Sequence, residues 1–289
     1  MSNKFQALAA ARSFLFVPAN RPERFAKALA AGADAIIIDL EDAVASGAKE
    51  AAGQQLALAF GQFANADRPR VAVRINSGSA PRFDEDLKLV RSLVGQGLRC
   101  VMLPKADSAA LLQSMAQSLG PACALLPLVE SVAGIDAVDA LAGAPQVLRL
   151  AFGNLDFQAD LGLACGPDEE ELVPVRLAVV MAARRAGLAA AIDGVTTSTM
   201  DTAQLQRDAA RSRRGGFGAK LCIHPRQVAV VNAAFAPSRA ELDWARRVLA
   251  AVEAAGGGVV SLDGRMVDGP VVQFARRTIS LALKPEIQD

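Results

Sequence analysis

Hydrophobic positions along this chain fall into short continuous runs, separated by stretches with helical spacing. The first run, Ser13-Phe14-Leu15-Phe16-Val17, is closed by Pro18-Ala19-Asn20. Pro22 suits the first turn of a helix, and Phe25, Ala28 and Leu29 follow at helical spacing as far as Gly32. Ile36-Ile37-Ile38 comes next, a β-branched run that predicts a strand buried on both faces, as in parallel sheets. A strand, a helix and a second strand in one sheet imply a right-handed crossover. The alternation then continues. Strands are predicted at 71–75, 100–103, 124–129, 147–152, 189–192 and 218–223, and helices at 49–63, 84–94, 108–119, 132–141, 175–186, 202–213 and 228–234. Ser108 or Asp107 is the expected cap of the helix over 108–119. About eight strand-helix pairs, one per roughly 30 residues, fit a (β/α)8 TIM barrel better than an open doubly wound sheet. No GxGxxG follows the first strand, which counts against dinucleotide binding.

After the eighth pair the pattern changes. A helix over 239–255 runs into Gly256-Gly257-Gly258, and two short strands, 259–262 and 265–267, flank Asp263-Gly264. That spacing predicts a hairpin with a type I′ turn, followed by a last helix over 270–283. We therefore expect a barrel domain over 1–236 and a helix-hairpin-helix extension over 237–289. The extension is too small to fold alone, so it should pack on the barrel or on a neighbouring subunit.

Composition narrows the function classes. The 289 residues are 52% hydrophobic and 21% charged, enough apolar material for a large core. Lys and Arg total 31 against 30 Asp and Glu, a formal net charge of +1, so neither a nucleic-acid surface nor an anionic-membrane surface is expected. Cys100, Cys123, Cys165 and Cys222 lack any metal-binding spacing, and three of them sit in or beside apolar runs, as core residues of a reducing compartment do. The first residues carry no signal-peptide h-region and no run is long enough to span a membrane, so a cytoplasmic protein is expected.

In a barrel the C-terminal ends of the strands share one mouth, however distant in sequence. Those ends supply Asp39, Glu41 and Asp42 from strand two, Arg74 and Asn76 from strand three, and Lys105 from strand four. Strands five to eight add Glu130, Asp156, Asp193 and His224. An acid in Ile38-Asp39-Leu40-Glu41-Asp42 either caps the next helix or lines a site, and convergence with the other strands favours the site. Carboxylates with no cysteine and only one histidine suit a hard, oxygen-ligated ion such as Mg²⁺. Arg74 is suited to a bidentate clamp on a substrate carboxylate. His224, the only histidine, is read as a lining group, and Arg211, Arg213 and Arg214 as a solvated helix face. Arg24 and Lys27 either meet phosphates or are solvated.

Several ordered motifs resemble one family. They are Arg12-Ser13-Phe14-Leu15-Phe16-Val17-Pro18-Ala19-Asn20, Ile38-Asp39-Leu40-Glu41-Asp42-Ala43-Val44, Val73-Arg74-Ile75-Asn76 and Leu103-Pro104-Lys105. Phe152-Gly153-Asn154-Leu155-Asp156-Phe157, Asp160-Leu161-Gly162, Gly216-Phe217-Gly218-Ala219-Lys220 and Ile223-His224-Pro225 continue the series. Together they resemble the citrate lyase β-subunit-like family of the HpcH/HpaI aldolase superfamily, which includes malyl-CoA and citramalyl-CoA lyases. The resemblance runs from about Arg12 to Leu283. It implies a Mg²⁺-dependent carbon-carbon lyase that cleaves a β-hydroxyacyl-CoA-type thioester into a 2-keto acid and an acyl-CoA, in a homo-oligomer, trimer or hexamer. Glu130 and Asp156 match the family's metal ligands, Arg74 its keto-acid-binding arginine, and Glu41 and Asp42 acids around the metal's waters. Phe16, Lys27, Ile223 and His224 match positions that contact CoA. Asp268 matches an acid that some relatives supply from a neighbouring subunit for proton transfer. Ala19 stands where many relatives have Gly, and relatives vary at Asn154-Leu155. The alternatives are an aldolase acting on free hydroxy-keto acids, a malyl-CoA thioesterase or malate-synthase-like activity, and a non-catalytic CoA-thioester-binding subunit.

Overall fold

A computed structural model describes residues 3–282. The predicted helix end at 283 and the first two residues lie outside the described residues. The chain divides into two compact units, Met1–Asn232 and Ala233–Asp289.

The first unit is a closed barrel of eight parallel strands in the order β1 to β8. A short helix α1 (Gln6–Ala10) precedes β1 (Ser13–Pro18). The alternation then runs α2 (Phe25–Ala30), β2 (Ala35–Asp39), α3 (Lys49–Phe60), β3 (Val71–Arg74), α4 (Phe83–Gly95), β4 (Cys100–Leu103), α5 (Ala109–Leu119) and β5 (Ala124–Val129). Two short helices, α6 (Val132–Asp136) and α7 (Val138–Ala142), replace the single helix predicted there. The rest is β6 (Ala151–Phe152), α8 (Asn154–Leu161), α9 (Val173–Arg185), β7 (Ile192–Asp193), α10 (Thr202–Arg214), β8 (Ala219–Cys222) and α11 (Pro225–Phe235). Of the two candidate caps of α5, Ser108 accepts the bond, from Leu111 N–H at 3.3 Å.

Strand periodicity decides which side chains enter the barrel. Phe14, Ile37, Ala72, Met102, Leu126, Ala151, Ile192, Ala219 and Leu221 pack together as its interior. Alternation then places Phe16, Asp39 and Arg74 on interior-facing positions, two residues on from Phe14, Ile37 and Ala72. It turns Asp193 and Lys220 outward, towards the helices.

Two predicted strands are reduced to two residues each. The segment 147–152 is regular only over Ala151–Phe152, because Gln146 has a left-handed φ of +63° and Val147 forms an isolated bridge to Leu125. Arg149 in this segment is buried, its guanidinium donating to the carbonyls of Leu8, Ala11 and Ala190 at 3.1, 2.6 and 2.6 Å. Burial pulls it down to about 9, and it ties α1 beneath the N-terminal ends of the strands. Strand seven is Ile192–Asp193 rather than 189–192, although Ala189 and Ala191 keep single backbone bonds to their neighbours.

The second unit holds α12 (Arg239–Ala254), β9 (Val260–Leu262), β10 (Arg265–Val267) and α13 (Gly269–Ala282). Ser238 and Glu241 form a capping box at the start of α12. Asp263 and Gly264 both have positive φ, +51° and +72°, as the predicted type I′ turn requires. Ala245, Val248, Val267 and Ala275 form its small core. Among the described residues no helix is long and apolar enough to cross a membrane. All four cysteines are free; Cys100, Cys123 and Cys222 are buried, as expected of core residues.

Candidate active site at the mouth of the barrel

The acid cluster after β2 is built on one register pair. Asp39 sits opposite Arg74 across β2 and β3, both on interior-facing positions. Arg74 Nε and Nη2 donate to Asp39 Oδ1 and Oδ2, each at 2.7 Å. The same two oxygens accept from the backbone N–H of Glu41 and Ala43 at 2.9 and 3.0 Å, so Asp39 also shapes the turn that presents Glu41. The acid shown by its neighbours as a turn former is thus a clamp on the arginine as well. Arg74 Nη1 meets Glu41 at 3.0 Å and Asp42 at 3.6 Å, and the guanidinium lies 4.8 Å from the centre of the Phe16 ring. The bidentate edge expected to face a substrate is therefore occupied by Asp39. What Arg74 can offer a ligand is its remaining Nη N–H groups.

Glu130 follows β5 and is 3% exposed. Its Oε1 accepts from the backbone N–H of Lys105 at 2.8 Å. Glycine at 153 makes room for it, since an added Cβ there would lie 2.6 Å from Glu130 Cβ. Burial, then the charges of Asp156 and Glu41, push the Glu130 carboxyl up to about 8. Glu41, 5% exposed, is also raised, by burial first and by Asp42, against the pull of Arg74 and Lys105. Its Oε2 has no hydrogen bond despite the nearby guanidinium. Lys105 Nζ reaches Glu41 Oε1 at 3.2 Å.

Asp156 lies in the first turn of α8, not at a strand end as expected, and it is half-buried. Its helix is anchored by Asn154, whose amide donates to Glu169 Oε1 at 2.9 Å and accepts from Val195 N–H at 2.9 Å. Glu169 has a left-handed φ of +46° and also takes Arg176 and Arg211. Nothing in the local hydropathy separates Glu169 from Asp168, Glu170 and Glu171, so its anchoring part is invisible without the fold.

The remaining expectations divide. Asn76 is buried behind the mouth, bonded to Asp86, Leu40 and Lys49. Lys27 on α2 and Ile223 after β8 are exposed, and His224 is half-buried, with Nδ1 accepting from Arg226 N–H at 3.2 Å. β1 pairs with β8, which brings the loops carrying these residues to one side of the mouth. Asp193 is a correction: it faces outward and is held by Arg176 at 3.0 Å and by Ser212. Burial works against its charge, but Lys220, Arg176 and Ser212 hold the carboxyl below its ordinary range. Arg211 is a second correction, because it pairs with Glu169 and Asp208 at 2.9 and 3.2 Å instead of being a solvated face residue. Asp268 precedes α13, where Oδ1 accepts from Val271 N–H at 3.4 Å.

Among the described residues no three His, Cys, Asp or Glu side chains converge into a metal cluster of their own. Glu130 and Asp156 form a carboxylate pair instead, one member pushed up by the other's charge. Two carboxylates suit Mg²⁺, which takes one or two and completes its shell with waters and substrate oxygens. Glu130, buried and bonded only to a backbone N–H, with Asp156 beside it, has the donor chemistry to hold such an ion.

Residues 12–225 match the family described as HpcH/HpaI aldolase/citrate lyase. The citrate lyase subunit beta-like protein of Mycobacterium tuberculosis (strain H37Rv) is 38% identical over 279 residues, 95% of this chain and 96% of that protein. A (3S)-malyl-CoA thioesterase of Cereibacter sphaeroides (strain KD131) is 32% identical over 274 residues, 94% of both chains. In three dimensions the chain is similar to the protein CitE from Mycobacterium tuberculosis, crystallised with magnesium, acetoacetate and coenzyme A. The TM-score is 0.82 at 36% identity, over 95% of this chain and 99% of that one.

Proposed function

The chain belongs to the HpcH/HpaI aldolase/citrate lyase family, and from that premise we propose that it is a Mg²⁺-dependent carbon-carbon lyase. Its substrate is a β-hydroxyacyl-CoA-type thioester, cleaved to a 2-keto acid and an acyl-CoA, or formed from them. The observation that carries this reading is Glu130, buried beside Asp156 and pushed up to about 8 by burial and then by the charges of Asp156 and Glu41.

Glu130 and Asp156 would hold the ion, which when bound supplies a Lewis acid and a template for the substrate's oxygens. Asp39 fixes Arg74, whose Nη N–H groups not taken by Asp39 then orient the carboxylate of the keto-acid portion. Glu41 and Asp42 line the same mouth and orient waters. Phe16, Lys27, Ile223 and His224 form the side that receives the CoA portion. In cleavage a base accepts the proton of the substrate hydroxyl, that C–O becomes the keto group of the 2-keto acid, and the electron pair of the breaking carbon-carbon bond is left on the thioester as an enolate. Asp268, reaching the mouth from a neighbouring copy in a homo-oligomer, returns a proton to that enolate.

The test is a panel of malyl-, citramalyl- and citryl-thioesters with Mg²⁺, read by keto-acid formation and by free CoA. Keto acid from at least one thioester, lost on adding a chelator, is the expected result. Free CoA without keto acid would favour hydrolysis, the reading that the thioesterase relative supports. No reaction with any of them overturns both.

A further inference from the structure

Lys105 is the non-glycine residue of the mouth with left-handed backbone, at φ +50°. Its surroundings hold it there. Its N–H is bound to Glu130 Oε1 at 2.8 Å, and the next N–H, of Ala106, is bound to Leu128 O at 3.1 Å. The Ala106 carbonyl is pressed against Gly134, where an added Cβ would come within 2.7 Å of it. Glycine would meet the backbone demand without strain, yet a lysine occupies the position.

The side chain is placed differently from that of Arg74. The Arg74 side chain is 10% exposed and neutralised by Asp39, Glu41 and Asp42. The Lys105 side chain is 49% exposed and makes one bond, to Glu41 Oε1 at 3.2 Å. An ammonium has three donors, so two are left without a partner among the described residues. A compact point charge on a flexible stem can change partners with little rearrangement.

We propose that Lys105 is a specificity-determining anion-binding residue. Its ammonium exchanges Glu41 for the carboxylate of the bound 2-keto acid, while its backbone N–H stays on Glu130. The exchange also frees Glu41 Oε1 as an acceptor for the substrate. This rests on the reading of the mouth as a 2-keto-acid site.

The experiment titrates full-length protein, in Mg²⁺, with pyruvate and with its neutral analogue pyruvamide by calorimetry, and follows Tm in parallel. Lys105→Met and Lys105→Gly are expected to weaken pyruvate binding roughly tenfold to a hundredfold, the loss of a charged hydrogen bond. Pyruvamide should bind wild type and both variants alike, and Lys105→Arg should restore most of the pyruvate affinity. Lys105→Gly should keep Tm within a few degrees of wild type, because relief of the left-handed backbone offsets the greater unfolded-state entropy of glycine and the lost bond to Glu41, so lost binding is not lost folding. Equal pyruvate affinity in wild type and Lys105→Met overturns the assignment of Lys105 alone. If wild type binds no pyruvate, the reading of the mouth fails and this proposal with it.

Discussion

Two clusters of charged residues sit at the C-terminal ends of the same barrel, and they differ in how completely they are neutralised. On the outer face, Glu169, Asp193 and Asp208 are matched by Arg176, Arg211 and Lys220. Asp193 accepts from Arg176, Ser212 and the Gly194 N–H, and Lys220 donates to Gly194 O at 2.7 Å. Asp193 is fully buried and still lies below its ordinary range. At the mouth, Asp39, Glu41, Asp42, Glu130 and Asp156 converge with Arg74 and Lys105, and Glu130 is pushed up to about 8. A buried charge that the protein itself satisfies holds the structure together, whereas one left short leaves room for a ligand. The contrast supports the proposal that a cation and an anionic substrate bind at the mouth.

The sharpest break between the clusters comes from neutralising one carboxylate in each. Glu130→Gln should lower keto-acid formation by a factor of at least about 10³ and weaken Mg²⁺ binding measured by calorimetry, without loss of thermal stability. Unchanged Mg²⁺ affinity would show that the under-neutralised acid is not a metal ligand. Asp193→Asn should do the reverse. It removes the carboxylate that faces both Arg176 and the buried Lys220, leaving Arg176 to Glu169 alone, and should cost about 3–5 kcal/mol in denaturant unfolding. Mg²⁺ affinity of the folded fraction should stay at the wild-type level, and a protein as stable as wild type would remove the structural reading of the outer network.

A smaller effect is expected outside both clusters. Asp268→Asn should slow turnover roughly 10²–10⁴-fold, with Tm nearly unchanged because asparagine also caps helices. Full turnover would leave Asp268 as the N-cap of α13 and nothing more.

The smallest effect concerns pH. In the metal-free protein the Glu130 pKa is raised above its unfolded value, so the folded state holds a proton that the unfolded state has already lost between about 4.5 and about 8. Its contribution to stability is therefore greatest at low pH and is lost as pH rises through that window. Tm of the metal-free protein, corrected with Glu130→Gln as reference, should fall from pH 5 to pH 8.5. Added Mg²⁺ should reverse the fall, with the largest gain above pH 8. A flat difference between the two proteins would mean that Glu130 ionises without penalty.

Much of this architecture was legible in local pattern. The buried run at 36–38, the alternation of strands with amphipathic helices and the Asp263-Gly264 turn all follow from side-chain period and turn chemistry, which act over a few residues. The acids at 39, 41, 42 and 130 could be placed at strand ends for the same reason. Helix α8 was not legible, because Asn154–Leu161 has little apolar periodicity and is set by its anchors at Val195 and Glu169.

By itself the sequence determined the number of repeating units, the parallel barrel they build and the supply of carboxylates at its C-terminal ends. Only the tertiary structure decided what each charge does. Asp39 and Asp193 both end strands, but closure of the barrel turns Asp39 inward against its register partner Arg74 and Asp193 outward against Arg176. Which face a residue takes is set by strand pairing with distant segments, and its charge state by who else arrives there. Hydropathy along the chain carries the period of each strand, but the neighbours across the sheet are chosen by the fold.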